Sequence, residues 1–187
     1  IKILSLKKSK GRGAAIKLGI ENAKGNIIVF FPSDNEYNPN EINLMIMPIL
    51  QGQFDIVFGT RLIKCMNLDN SIMNIYKKNY LHYFLSKYGG FVLSIMSLLL
   101  YNKYITDPLT SFKAFNSDIL KKFGLERDGV DMDMEIIAKA SMLNKFILEI
   151  PVEFSPRLKS EGKKITFKDG IKSLTALMTI RFSRKPE

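Results

Sequence analysis

The sequence is poor in the side chains that build disulfides and zinc sites. Its 187 residues include one cysteine, Cys65, and one histidine, His82. A single cysteine excludes a disulfide within the chain and suits a reducing compartment. Zinc sites need several cysteine or histidine ligands at short spacings, so zinc chemistry has little support here.

Long apolar runs and low-complexity stretches are also missing. The best membrane-span candidate, 91–101, is interrupted by Ser94 and Ser97. It is shorter than the ~20 apolar residues that a helix needs to cross the hydrocarbon of a bilayer. We therefore expect this segment to be a buried helix or one that lies at an interface. Apolar residues make up 46% of the chain, which argues against intrinsic disorder.

The charge of the chain is strongly positive. Lysine and arginine number 28 against 18 acidic residues, for a formal net charge of +10. Such an excess attracts anionic partners, whether nucleic acid, nucleotide phosphates or an acidic lipid surface. The basic residues lack the interleaved aromatic side chains of nucleic-acid stacking platforms, which disfavours nucleic acid as the partner.

The hydrophobic pattern predicts an α/β fold in a single domain over residues 1–187. Strands are predicted at 1–6, 27–31, 54–58, 111–115 and 145–154. Helices are predicted after Gly11, from Pro39, within 72–101, and at 117–123, 132–143 and 168–182. Strands that alternate with helices favour right-handed crossovers and a largely parallel sheet. The chain begins with Ile1 inside a predicted strand, so we expect it to be cut from something longer.

Two carboxylates stand in a polar loop directly after a predicted buried strand. Asp34 and Glu36 are two residues apart, so both can reach one hard cation such as Mg²⁺ or Mn²⁺. Ligands of parallel sheets bind beyond the carboxyl ends of the strands. Arg61, at the end of the next strand, is a fork-shaped donor that suits phosphate. The alternatives are an ordinary turn for the two acids and a solvated surface arginine.

Two further basic features allow two interpretations each. Gly11-Arg12-Gly13 before a helix could place backbone N–H groups near a phosphate, or form a plain helix entry. The loop that carries Arg157, Lys159, Lys163 and Lys164 could clamp a phosphate, or be a solvated face.

Taken in order, these residues resemble the polyprenyl-phosphate glycosyltransferases of the inverting GT-A class (family 2), the dolichol-phosphate mannose synthase group. The resemblance covers nearly the whole chain. The residues that carry it are Gly11 to Ala15 with Gly19, Ala23 and Gly25; Ser33 to Pro39; Gly59-Thr60-Arg61; Thr106-Asp107; Ser111 to Phe115; Glu135; Glu149 to Val152; and Arg157 with Glu161 to Ile165.

The resemblance implies a Rossmann-like GT-A fold, a UDP- or GDP-linked sugar donor, Mg²⁺ or Mn²⁺, and a polyprenyl-phosphate acceptor. The site residues it implies are Asp34, Asp107 and Glu135 as catalytic or supporting groups; Arg12, Ser33, Arg61, Arg157, Lys163 and Lys164 as substrate contacts; and Asp34 and Glu36 as metal ligands. It also implies a place at the cytoplasmic face of a membrane, peripheral or anchored by segments outside this chain.

The chain departs from the family pattern at two points. Pro32 stands where the family's acidic motif has its first acid, and proline cannot bind a metal. The family's opening strands, which hold the nucleoside, have no counterpart, so the chain is expected to be N-terminally truncated and a poor catalyst alone. The alternatives are a non-catalytic relative that binds nucleotide sugar or lipid, and a sugar-phosphate nucleotidyltransferase.

Overall fold

The computed structural model describes residues 2–62, 80–155 and 167–183. The helices in these segments are α1 (Arg12–Asn22), α2 (Ile42–Leu50), α3 (Tyr80–Tyr101), α4 (Ser117–Lys122), α5 (Met132–Met142) and α6 (Phe167–Ser183). The strands are β1 (Ile27–Phe30), β2 (Ile56–Thr60), β3 (Lys113–Asn116) and β4 (Ile147–Pro151). Residues 72–79 of the predicted helical middle lie outside the described residues.

The strands form one mixed sheet in the order β1-β3-β2-β4. β3 runs antiparallel to both β1 and β2, whereas β2 and β4 are parallel. The α/β class is therefore confirmed, but the prediction of a largely parallel sheet is wrong for the neighbours of β3. Apolar periodicity identifies a strand and carries no information about its direction.

The four strands share one edge of the sheet at which three of them end and the fourth begins. Because β1, β2 and β4 run the same way, their carboxyl ends lie at a common edge, where β3 begins. The register shows this directly, since Lys113 pairs with both Phe30 and Phe58. The loops that follow β1, β2 and β4 and the loop that precedes β3 therefore meet at this edge.

Two apolar clusters cover the two faces of the sheet. On one face, α2 packs Met45 and Ile49 against Val57 and neighbouring side chains. On the other, residues of α1, α3, α5 and α6 pack around Ile56 and Phe58. Successive side chains of a strand point to opposite faces, so β2 is apolar at consecutive positions because both faces are buried. The strand predicted at 54–58 is therefore present as Ile56–Thr60, covered on both faces.

The start of α2 and the end of β4 each follow from a local feature of the sequence. The Asn38 side chain accepts a hydrogen bond from the backbone N–H of Asn40 at 3.0 Å, which caps a 3₁₀ turn that begins at Pro39 and leads into α2. β4, whose last residue is Pro151, is an outer strand of the sheet, a position where proline is tolerated.

The predicted first strand is wrong within the described residues. Residues 2–6 form no strand, and the Ile3 side chain is 87% exposed. An apolar run becomes a strand only where a neighbour supplies hydrogen-bond partners. In the described part of the chain, β1 pairs with β3 alone, and no strand lies beside residues 2–6.

Candidate active site

A bidentate ion pair marks the carboxyl edge of the sheet. Arg61 follows β2, and Asp107 begins the turn that leads to β3. The Arg61 Nε donates to Asp107 Oδ2 at 2.6 Å and its Nη2 donates to Oδ1 at 2.7 Å, while the Arg61 backbone N–H donates to Oδ2 at 3.1 Å. The Asp107 side chain is 5% exposed and that of Arg61 24%. This geometry is the strong, directional form of the arginine–carboxylate interaction.

The electrostatics of Arg61 join it to the acidic loop. Burial alone would lower the pKa of Arg61, but the charge and hydrogen bonds of Asp107, together with the charge of Glu36, hold that pKa above its ordinary value. Arg61 is thus a permanent cation whose charge is stabilised by Asp107 and by Glu36 of the acidic loop.

Glu149 of β4 braces the turn that carries Asp107. Its carboxylate accepts hydrogen bonds from the backbone N–H and the hydroxyl of Thr106, both at 2.8 Å, and from the backbone N–H of Asp107 at 3.1 Å. The hydroxyls of Thr106 and Thr60 lie 2.9 Å apart. The turn is therefore tied to the middle of β4 and to the last residue of β2. A charged residue inside an otherwise apolar strand is the sequence signal for such a role.

The acidic loop after β1 is tied to the segment after β4. Asp34 Oδ1 accepts a hydrogen bond from the Glu36 backbone N–H at 3.3 Å, and Asn35 between them has a φ of 61°. The carbonyl of Glu36 accepts from the backbone N–H of Ser155 at 2.9 Å. Ser33, at the start of the loop, is exposed. The predicted acids therefore lie at the same edge as Arg61.

Aromatic rings connect the acidic loop to Arg61. Tyr37 is buried against Phe154, with ring centroids 5.2 Å apart, and the Arg61 guanidinium lies 5.0 Å from the centroid of the Phe154 ring. Cation–π contact of this kind favours arginine. Burial raises the pKa of Tyr37, whose hydroxyl lies 3.4 Å from that of Thr110. Sequence reasoning assigned no role to Tyr37 or Phe154, although an aromatic residue in a polar loop is a signal.

A second, deeper charge cluster lies beside the Asp107 turn. Arg12 donates from Nη2 to both carboxylate oxygens of Asp133 at 2.7 Å and from Nη1 to the hydroxyl of Ser111 at 2.8 Å. Lys113, fully buried, donates to the same Asp133 carboxylate. Burial lowers the pKa of Lys113 to about 8. Asp133 was missed from sequence, because an acid in the first turn of a helix is also an ordinary partner of the helix dipole.

Glu135 belongs to a different network. It accepts hydrogen bonds from the backbone N–H groups of Glu126 and Arg127, each at 3.0 Å, and pairs with Lys139 at 2.7 Å. Residues two apart on a helix point to different sides, which separates Glu135 from Asp133. Its described contacts hold the loop before α5.

Most of the predicted site residues that the structure describes lie at or beside the carboxyl edge of the sheet, and Glu135 lies apart from them. Asp34, Glu36, Ser33, Arg61 and Asp107 share the carboxyl edge of the sheet, and Arg12 reaches the start of β3 through Ser111. Glu135 lies in the loop network. Arg157, Lys163 and Lys164 lie outside the described residues.

The acidic loop carries the two carboxylates that were predicted to bind a metal ion. Over residues 2–62, 80–155 and 167–183, no group of three or more His, Cys, Asp or Glu side chains is gathered to hold a metal ion. Mg²⁺ is commonly bound through one or two carboxylates, with substrate phosphates and water completing its shell. Asp34 and Glu36 supply hard oxygen donors of that kind, so the residues present fit such an ion.

Comparison with known proteins identifies the family. Residues 1–110 match the model of glycosyl transferase family 2, and the chain belongs to this family. It is 27% identical over 163 residues to the dolichol-phosphate mannosyltransferase of Pyrococcus furiosus, covering 87% of this chain and 43% of that protein. It is also 27% identical to a UDP-N-acetylglucosamine–dolichyl-phosphate N-acetylglucosaminyltransferase of Methanococcus voltae, covering 81% of this chain and 59% of that protein. The chain thus spans about half the length of these relatives.

Solved structures confirm the GT-A type of fold. Glucosyl-3-phosphoglycerate synthase of Mycobacterium tuberculosis, in complex with Mn²⁺, UDP-glucose and phosphoglyceric acid, superposes with a TM-score of 0.57 at 15% identity. The superposition covers 91% of this chain and 54% of that one.

Proposed function

We propose that this protein transfers a sugar from a UDP- or GDP-linked donor to a polyprenyl phosphate, with inversion at the anomeric carbon. Family membership and the names of the two dolichyl-phosphate transferases support this assignment. The structural observation that carries it is the Arg61–Asp107 pair beside the Asp34–Glu36 loop at one edge of the sheet. Carboxylates for a cation and a fixed arginine for phosphate stand together there.

On the donor side, Asp34 and Glu36 would hold Mg²⁺ or Mn²⁺. Such an ion, when bound, supplies positive charge to the departing diphosphate. The solved relative with Mn²⁺ and UDP-glucose supports a divalent ion for this type of fold. With Pro32 in place of one acid, this chain contributes fewer protein oxygens, so its affinity for the ion depends more strongly on the donor phosphates.

On the acceptor side, the reaction needs no general base. A polyprenyl phosphate is ionised near neutral pH, so its oxygen can form the bond to the anomeric carbon as the bond to the diphosphate oxygen breaks. Catalysis then consists of alignment and charge stabilisation, which Arg61 would supply together with Arg157 and Lys163 or Lys164. Both Asp107 oxygens are engaged by Arg61, which suits orientation of that arginine rather than proton removal.

A membrane surface is the proposed location of the reaction, at its cytoplasmic face. In the described part of the chain, no helix has the length and apolar character needed to span a bilayer. The packed helices α3 and α6 expose large apolar side chains, including Leu99 and Phe182, and α6 also exposes Lys172 and Arg181. Apolar and basic side chains together suit an acidic lipid surface. Vesicle flotation at low and high salt tests this: recovery of the protein in the bottom fraction at both salts would contradict it.

The assignment is tested by transfer of labelled sugar from UDP- and GDP-linked donors to polyprenyl phosphate, catalysed by the full-length protein. Asp34→Ala should abolish most of the rate and its dependence on Mg²⁺ or Mn²⁺. Asp55→Asn is the matched control, because Asp55 precedes β2 at the opposite edge and pairs with Lys145. An Asp34→Ala protein with unchanged rate and metal dependence would overturn the assignment.

Pro32 favours one second candidate, a relative that binds nucleotide sugar without turnover. Calorimetry separates the two functions. Binding of nucleotide sugar that no divalent ion enhances, together with no transfer to any polyprenyl phosphate, would indicate the non-catalytic relative.

A further inference from the structure

The start of α1 packs closely against the backbone of the loop before α5. The backbone N–H of Ala14 donates to the carbonyl of Asp128 at 3.2 Å. A Cβ on Gly13 would lie 2.5 Å from the carbonyl oxygen of Arg127, and Gly11 has a φ of 114°. The two glycines are therefore required for close packing and for the turn, and they fix the backbone position of Arg12 between them.

The guanidinium of Arg12 is anchored by Asp133 and Ser111, and the Arg12 side chain is partly exposed. An arginine side chain has five N–H donors. Two contacts from Nη2 go to Asp133 and one from Nη1 goes to Ser111, while Nε is buried without a described partner. The Asp133 side chain is fully buried, whereas that of Arg12 is 33% exposed. Within residues 2–62, 80–155 and 167–183, Nη1 has Ser111 as its hydrogen-bond partner, so its second N–H is available in our proposal to a ligand at the carboxyl edge of the sheet.

A second cation, the fully buried Lys113, also binds Asp133. Lys113 Nζ contacts the Asp133 carboxylate and lies 4.5 Å from the centroid of the Phe58 ring. One carboxylate therefore binds two cations, and the cluster of three carries a net charge of +1. Without the Asp133 charge, Lys113 and Arg12 would repel each other in a poorly solvated place, and the guanidinium would lose its fixed direction.

We propose that Asp133 is a positioning residue for Arg12, one that aims the arginine at the anionic part of the nucleotide donor. The proposal rests on the proposed function, in which Arg12 contacts substrate. Lys113 takes no part in substrate contact. It keeps the Asp133 carboxylate in place and adds positive potential beneath the site.

The test is the affinity for UDP and GDP in the presence of Mg²⁺, measured by calorimetry on the full-length protein. Asp133→Asn and Arg12→Met should each weaken binding of the preferred nucleotide about tenfold. Because Asp133 acts through Arg12, the variant with both substitutions should bind no more weakly than Arg12→Met alone. Asp131→Asn is the control, since Asp131 directly precedes the same helix and pairs with Arg127 instead.

A stability measurement separates positioning from a purely structural role. Asp133→Asn leaves Lys113 buried without its carboxylate, so its melting temperature should fall. Adding Lys113→Met removes that buried charge and should restore the melting temperature while the affinity stays about tenfold weakened. Affinity that recovers together with the melting temperature would overturn the proposal, as would independent, multiplying effects of Asp133→Asn and Arg12→Met.

The outcome for the proposed function is read separately, from sugar transfer by the unsubstituted protein. If no transfer to polyprenyl phosphate occurs while the affinities behave as described, the proposed acceptor is wrong and the role of Asp133 stands. If the unsubstituted protein binds neither UDP nor GDP, both proposals are overturned.

Discussion

Asp107 accepts both side-chain hydrogen bonds of a fork presented by Arg61, at 2.6 and 2.7 Å, although the two residues are 46 positions apart in the chain. Arg61 directly follows β2, and Asp107 lies in the turn that precedes β3, so both are at the carboxyl edge of the sheet. Glu149 fixes the backbone of the Asp107 turn. Asp107 therefore sets the direction of Arg61, and Glu149 of β4 holds the Asp107 turn in place.

Removing the charge of Asp107 should slow sugar transfer, because Arg61 would no longer be held in its direction. In Asp107→Asn the fork loses its ionic partner, and we expect kcat/KM for sugar transfer to fall by roughly 10- to 100-fold, the range for a misaligned electrostatic contact. The free energy of unfolding should fall by about 1–3 kcal/mol, since a nearly buried charged hydrogen bond is lost. Steady-state kinetics and urea denaturation measure the two effects. Kinetics equal to those of the unsubstituted protein would show that Arg61 does not depend on Asp107.

Replacing Gly13 and Gly19 of α1 by alanine should change the stability of the protein in opposite directions, because the two glycines lie in different surroundings. A Cβ on Gly13 meets backbone atoms of residues 127 and 128, so Gly13→Ala should lower the free energy of unfolding by about 1–3 kcal/mol. Gly19 has open space around it, and Gly19→Ala should raise stability by roughly 0.5–1 kcal/mol because alanine is the better helix former. Urea denaturation of both variants checks this. Destabilisation of equal size in both would contradict the docking of α1.

The buried Lys113 should make stability depend on alkaline pH. Burial lowers its pKa from 10.5 to about 8, so the folded protein releases this proton at a lower pH than the unfolded chain does. Between those two values the unfolded state binds more protons, and the contribution of Lys113 to stability rises with pH. The expected result is a free energy of unfolding that increases, relative to Lys113→Met, from pH 8 towards pH 10. A difference that stays flat over this window would show that Lys113 keeps an ordinary pKa.

The substitution Glu149→Gln should lower kcat, because Glu149 holds the Asp107 turn in place. Glutamine keeps the shape of the side chain but loses its charge and one acceptor oxygen, so the three hydrogen bonds to residues 106 and 107 weaken. We expect kcat to fall by about tenfold with little change in KM for the donor, because alignment of Arg61 suffers while donor contacts remain. Glu153→Gln, on an exposed residue of the following segment, serves as the control. A change in donor KM alone would assign Glu149 a different role.

The sequence was sufficient to predict that Asp34 and Arg61 lie at the same edge of the sheet. Asp34 and Arg61 each follow an apolar run, and runs of this kind end at one edge when their strands share a direction. That rule holds here even though β3 lies between β1 and β2 and runs the opposite way, because β1 and β2 are still codirectional.

The charge cluster of Arg12, Lys113 and Asp133 was not predictable from local sequence patterns. Lys113 is a lysine in a strand, and Asp133 is an acid in the first turn of a helix, and each pattern is usually a solvated one. Their contact arises because β3 enters the middle of the sheet and brings position 113 under α5. Such a long-range pairing leaves no periodic trace in the sequence. The wrong strand at 1–6 has the same origin, since an apolar run does not contain its own hydrogen-bond partner.

The central claim is that the Asp34–Glu36 loop recruits a divalent cation to the donor diphosphate. Calorimetric affinity for UDP and GDP, measured with and without Mn²⁺ on the unsubstituted protein and on Asp34→Ala, tests it most directly. We predict that Mn²⁺ strengthens nucleotide binding at least about tenfold in the unsubstituted protein and has almost no effect in Asp34→Ala. Equal enhancement in both proteins, or none in either, would contradict the claim.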